Sequence, residues 1–152
     1  MARGRSTTVK AMQRPVHIQI YTMQTAEEAL AVASLGVDYI GVTPADLGLP
    51  GEVALERAAE ICDAVRGSAT SVALSVESDL SNIEHMVRTV HPDVLHLCGT
   101  PGAVGPEDVR ALRGALPGVA VMQAIAVTGP EAIDGVYPPT WGEFGGLHSW
   151  RG

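Results

Sequence analysis

Apolar positions along this chain switch period repeatedly, from alternation to helical spacing and back. His17-Ile18-Gln19-Ile20-Tyr21-Thr22 alternates apolar and polar side chains, which predicts a strand over roughly 16–21. Thr25 then opens a helix with Glu28 three residues on, a capping box, and Ala29, Leu30, Val32 and Ala33 carry it to the stop at Gly36. A second strand is read at 39–42, followed by a loop rich in Pro and Gly over 43–51. Leu55, Ala58, Ala59, Cys62 and Val65 recur at helical spacing and end at Gly67. A third strand is expected at 71–76, a third helix at about 80–90 with Ile83, Met86, Val87 and Val90 inward, and a fourth strand at 94–97. Gly105-Pro106-Glu107-Asp108 starts a fourth helix, with proline at the first helical position and acids in the first turn. Pro117-Gly118 ends it, and a fifth strand is read over 119–127. Gly129-Pro130-Glu131-Ala132 repeats the same opening and announces a fifth helix, which Asp134-Gly135 and Pro138-Pro139 break. Residues 1–15 are polar and patternless and read as a flexible tail; 16–152 read as a single domain.

This order predicts an α/β fold, a parallel sheet with crossover helices. A complete TIM (β/α)8 barrel takes about 250 residues and at least about 200. A chain of 152 residues falls short of that. The repeat is therefore read as an open parallel sheet or an incomplete or shortened (β/α)8 barrel, its back absent, shortened or supplied by another chain. Chemistry is expected at the C-terminal ends of the strands.

Composition narrows this further. Hydrophobic residues make up 46% and aromatics only 4%, so the core must be Ala, Val, Ile and Leu. Net charge is −7, and the basic cluster Arg3, Arg5, Lys10 and Arg14 lies in the tail, which argues against nucleic acid as a partner. Cys62 and Cys98 are the only thiols, and no signal-peptide pattern or membrane-length apolar run occurs, so a cytoplasmic protein with no membrane partner is expected.

The alternating pattern puts Gln19 and Tyr21 on one side of the first strand, as pocket residues or as packed side chains with the Tyr21 hydroxyl in water. His96 and Cys98 alternate likewise on the fourth strand, and His17 and Gln19 could join them around a metal. Without close HxH or CxxC spacing, no metal is expected, and Cys98 reads as a small packed side chain. Asp46 either contacts a sugar hydroxyl or caps a turn, Glu77 is a candidate acid, and Asp79 reads as a helix cap. His85 and His91 read as surface residues. Gly145-Gly146 is a candidate phosphate cradle, and Trp141 and Trp150 are expected to cover apolar surface or a sheet edge.

Several stretches in order match one family. Ile18-Gln19-Ile20-Tyr21-Thr22 stands where that family reads V-K-I-C-G, and Glu27-Glu28-Ala29 where it reads E-D-A. Leu35-Gly36-Val37-Asp38-Tyr39-Ile40-Gly41-Val42 matches LGAD-x-x-GFVF, and Leu95-His96-Leu97-Cys98-Gly99 matches V-Q-L-H-G. The run from Ala111 to Ile125 matches ALRAALPGVPVIKAI, and Phe144-Gly145-Gly146 with His148-Ser149-Trp150 matches YGGTGKTFDW, shortened. The chain thus resembles phosphoribosylanthranilate isomerase, a (β/α)8 barrel of tryptophan biosynthesis. The resemblance implies a cofactor-free Amadori isomerisation of a phosphorylated N-ribosyl substrate, by a cysteine base and an aspartate acid flanking the sugar. It places Tyr21 at the cysteine and Asp134 at the aspartate, Gln19, Asp46, His96, Cys98 and Gln123 at substrate-binding positions, and Gly145 and Gly146 at the phosphate. A phenol titrates near 10, so Tyr21 is a poor base unless its surroundings change it. The alternative is a non-catalytic phosphosugar-binding or self-associating module, with a homodimer closing the open edges.

Overall fold

The computed structural model describes residues 16–127 and Gly129. The expected fifth helix, Asp134, Trp141, Gly145, Gly146 and Trp150 lie outside the described residues, as does the tail over 1–15. The elements run β1 Gln19–Ile20, α1 Ala26–Ser34, β2 Tyr39–Pro44, β3 Glu52–Val53, α2 Leu55–Val65, β4 Thr70–Ser75, α3 Leu80–Val90, β5 Val94–Leu97, α4 Pro106–Ala115 and β6 Ala120–Gln123.

The helices start where their caps dictate. Thr25 Oγ1 accepts from Glu28 N, and Asp79 accepts from Ser81 N and Asn82 N at the head of α3. Asp108 reaches back to accept from Gly105 N at 2.8 Å, closing the first turn of α4. His91 ends α3 in the left-handed region, φ 51, a place more often held by glycine.

All strands are parallel, in the order β1-β2-β4-β5-β6, with β3 paired to the far end of β2. Each crossover returns the chain to the next position, as a barrel wall is built. Ile40, Val42, Ala73, Leu95 and Leu97 point to the helix layer and are buried against Ala29, Ala58, Ile61, Val65, Ile83, Val87 and Leu112. At the N-terminal end, Ser71 N and Oγ donate to Asp93 Oδ2 (2.8 and 2.7 Å) while Asp93 N donates to Ser71 Oγ, a reciprocal clasp between β4 and the turn before β5.

The strand limits differ from those read in the sequence. The first strand forms a regular ladder only at Gln19–Ile20, because Thr22 turns the chain with φ 66. Pairing resumes beyond that turn, where Met23 N donates to Gly41 O. The expected loop over 43–51 begins later, since β2 runs on to Pro44 and β3 pairs alongside it. The last strand stops at Gln123 rather than 127.

Candidate functional site

Register decides which side chains share a face. Gln19 pairs with Tyr39, Gly41 with Val72, Leu74 with His96 and His96 with Met122. In parallel strands paired residues point the same way. Gln19, Tyr21, Tyr39, Thr43, Thr70, Val72, Leu74, His96, Cys98 and Met122 therefore line the face away from the helices, the concave side of a barrel wall.

Two of them meet. Tyr21 Oη lies 2.7 Å from His96 Nδ1, with ring centroids 5.8 Å apart and planes tilted by 36°. Tyr21 directly follows β1 and His96 sits on β5, with β2 and β4 between. On a flat sheet three strand spacings amount to about 14 Å. The contact therefore records how strongly the sheet curls. Gly41 on β2 makes it possible, because a Cβ there would overlap the Tyr21 ring. The hydroxyl is bonded to a side chain, rather than left in water.

Burial sets the proton states. It pushes the Tyr21 hydroxyl up to about 12, with the nearby Cys98 thiol adding to the effect. It pushes His96 below the ordinary histidine value and the Cys98 thiol above its own. The pair is thus a phenol and a neutral imidazole at neutral pH. In the arrangement that fits, the hydroxyl donates to Nδ1 and the ring proton sits on Nε2, which has no protein partner among the described residues. Cys98 Sγ lies 3.6 Å from His96 O, its donor turned to the strand's own backbone.

Gln19 lies one pleat deeper on the same face. Its Nε2 is buried without a hydrogen-bond partner, a donor that a bound oxygen would satisfy. His17 stays outside this group, edge-on to Tyr39 and 3.5 Å from Asp38. Gln123 is placed elsewhere: it pairs with Leu97 on the helix-facing side, and its Nε2 donates to Val104 O at 2.8 Å. Asp46 is exposed at the rim, where it lines a cleft of about 620 Å³ outside the sheet with Glu52, Glu77, Asn82, His85 and Met86. Glu52 itself is engaged, accepting from the N–H groups of Leu47, Gly48 and Leu49, which holds its carboxyl below the usual range. Asp79 caps α3 and His91 ends it. Among the described residues no three His, Cys, Asp or Glu side chains stand close enough to hold a metal.

The mouth carries no cation among the described residues. Arg57, Arg66, Arg88, Arg110 and Arg113 all ride on α2, α3 or α4 or at the end of α2. The Tyr21–His96 contact was the feature sequence reasoning missed. It joins residues 75 positions apart, and the one trace it left is a glycine in the middle of a strand, where close approach is the usual reason.

No protein-family model matches the chain. Individual relatives do. N-(5'-phosphoribosyl)anthranilate isomerase of Rhodopseudomonas palustris (strain BisB5) is 37% identical over 114 residues, covering 74% of this chain and 49% of that protein. The isomerase of the same name from strain TIE-1 is 32% identical over 118 residues, covering 76% and 52%. The chain thus spans about half the length of the relatives it matches. Among solved structures, the phosphoribosyl anthranilate isomerase of Thermus thermophilus superposes with a TM-score of 0.66 at 22% identity, over 79% of this chain and 58% of that one. The enzyme from Thermotoga maritima gives 0.64 at 19% identity, over 79% and 55%. The parallel sheet is thus a fragment of the TIM-barrel wall these structures share. Taken with the sequence matches along the same units, these findings establish that the chain belongs to the phosphoribosylanthranilate isomerase family.

Proposed function

We propose that this protein binds a phosphorylated N-ribosyl substrate on its concave face and catalyses an aldose-to-ketose Amadori isomerisation there, without a cofactor. The observation that carries this reading is the Tyr21–His96 hydrogen bond at the strand ends, a proton-handling pair where a barrel enzyme keeps its chemistry. Gln19 supplies the free donor beneath it, Cys98 the wall beside it and Asp46 the outer rim. Asp134 is proposed as the acid that opens the ring, and Gly145-Gly146 as the phosphate cradle. Gln123 is proposed to act from behind, holding the 104 turn against β6. The setting proposed is tryptophan biosynthesis in the cytoplasm.

A phosphoribosyl anthranilate isomerase of similar structure was solved in complex with reduced 1-(o-carboxyphenylamino)-1-deoxyribulose 5-phosphate, which makes that compound the probe of choice. A steady-state assay with N-(5'-phosphoribosyl)anthranilate is expected to show turnover above background that is lost in Tyr21→Phe. Turnover equal to background refutes catalysis.

One observation favours a second reading, a non-catalytic phosphosugar-binding module completed by self-association. Both edge strands lack a partner on one side among the described residues, and Ile18, Ile20, Ile125 and Val127 beside them are exposed. The Thermotoga maritima relative is described as dimeric. Binding of the reduced analogue without turnover, by a chain that sediments as a dimer, selects this reading.

A further inference from the structure

We propose that Tyr21 and His96 work as one proton relay, Tyr21 Oη taking the proton from the substrate carbon while its own hydroxyl proton passes to His96 Nδ1. The proposal rests on the isomerase reading of the same face. It answers a difficulty which that reading leaves: a phenol stands where the family resemblance implies a thiol base.

Alone, Tyr21 is a poor base, because burial holds its proton up to about 12. Joined to His96 it need never become a free phenolate. Once the ring is open and the anilino nitrogen is carried as a protonated imine, the C2–H bond breaks, its electron pair forms the C1–C2 double bond, and the C=N π pair moves onto nitrogen to give a neutral enolamine. The carbon's proton reaches Oη, the Oη–H bond breaks, and that proton lands on Nδ1, 2.7 Å away. Neutral imidazole becomes imidazolium and the phenol is regenerated. Running the two transfers backwards delivers the proton to C1 while the C2 hydroxyl proton leaves to the acid that opened the ring and C2=O forms, so the pair ends as it began.

The structure favours this use in three ways. The hydrogen bond already lies along the transfer path. Gly41 vacates the space that lets the Tyr21 ring reach across two strands. Burial keeps His96 neutral, which leaves its Nδ1 lone pair open to the Tyr21 hydroxyl. Among the described residues the titratable groups that face His96 are Tyr21, just past β1, and Cys98, beyond the end of β5, while β4 and β6 present Leu74 and Met122 beside it. Among the described residues no carboxylate faces His96.

The test combines kinetics of the full chain with nitrogen-15 spectra of the histidine ring. His96→Gln is expected to lower kcat by about 100-fold or more, while KM and the affinity for the reduced product analogue change by less than about threefold. The acid limb of kcat against pH is expected below 6.5 in the wild type and absent in His96→Gln. The spectrum is expected to show Nδ1 unprotonated and hydrogen-bonded, and to lose that signature in Tyr21→Phe. A His96→Gln enzyme with wild-type kcat overturns the relay and leaves the isomerase reading standing. A wild type that binds the analogue without turnover overturns both. A spectrum with the proton on Nδ1 overturns the relay whatever the kinetics, and needs no variant to fold.

Discussion

Gly41 holds open the space that the Tyr21 ring fills, so the smallest substitution there should have a large local effect. Gly41→Ala is expected to displace the ring, break the bond to His96 and cost about 1–3 kcal/mol by overpacking, readable by chemical denaturation. Proton affinities at this pair give a second prediction. An unfolded tyrosine titrates near 10, and folded Tyr21 at about 12. The folded state holds the proton more tightly, so this contribution to stability is complete below pH 10 and is lost as pH rises towards 12. Absorbance titration of the phenols should show one tyrosine ionising about two units late, an anomaly absent in Tyr21→Phe. His96 has the opposite sign: its folded affinity is lowered, so its contribution is present above 6.5 and fades as pH falls through the lower folded value. At this scale the alternating pattern correctly put Gln19 and Tyr21 on one face. It could not put Tyr21 on His96, because that contact depends on curl built up over four strands. Gln123 shows the limit of motif matching, since parity of register, invisible in a motif, sends its side chain to the helix layer.

Helices were the most legible elements, since caps and stops act over a few neighbouring residues. The span expected for the third helix coincides with α3, and its cap, Asp79, accepts two backbone N–H groups. Asp79→Ala is expected to cost about 1 kcal/mol, measured by thermal unfolding. Strand ends were less legible. A two-residue strand such as β3 has no period to detect, and β1 is cut short by a backbone turn at Thr22 that no side-chain pattern announces. The Ser71–Asp93 clasp escaped for a similar reason: it joins a strand to the turn before another. Asp93→Ala removes two acceptor contacts and leaves buried Ser71 N unpaired, an expected loss of about 1–3 kcal/mol in chemical denaturation.

At the scale of the whole molecule, the alternation of strands and helices was enough to give the class and the parallel order, because each unit packs on the one before it. It was not enough to say what closes the wall. The placement of charge carries a consequence of its own. Every arginine among the described residues stands on the helical jacket, no lysine occurs there, and the whole chain bears −7. A doubly charged phosphate ester approaching the concave side feels no long-range attraction and some repulsion. Capture should therefore be slow in dilute buffer and quicken as added electrolyte damps the field, the reverse of an electrostatically guided encounter. Stopped-flow mixing across a range of ionic strength would read this directly as a rising association rate constant.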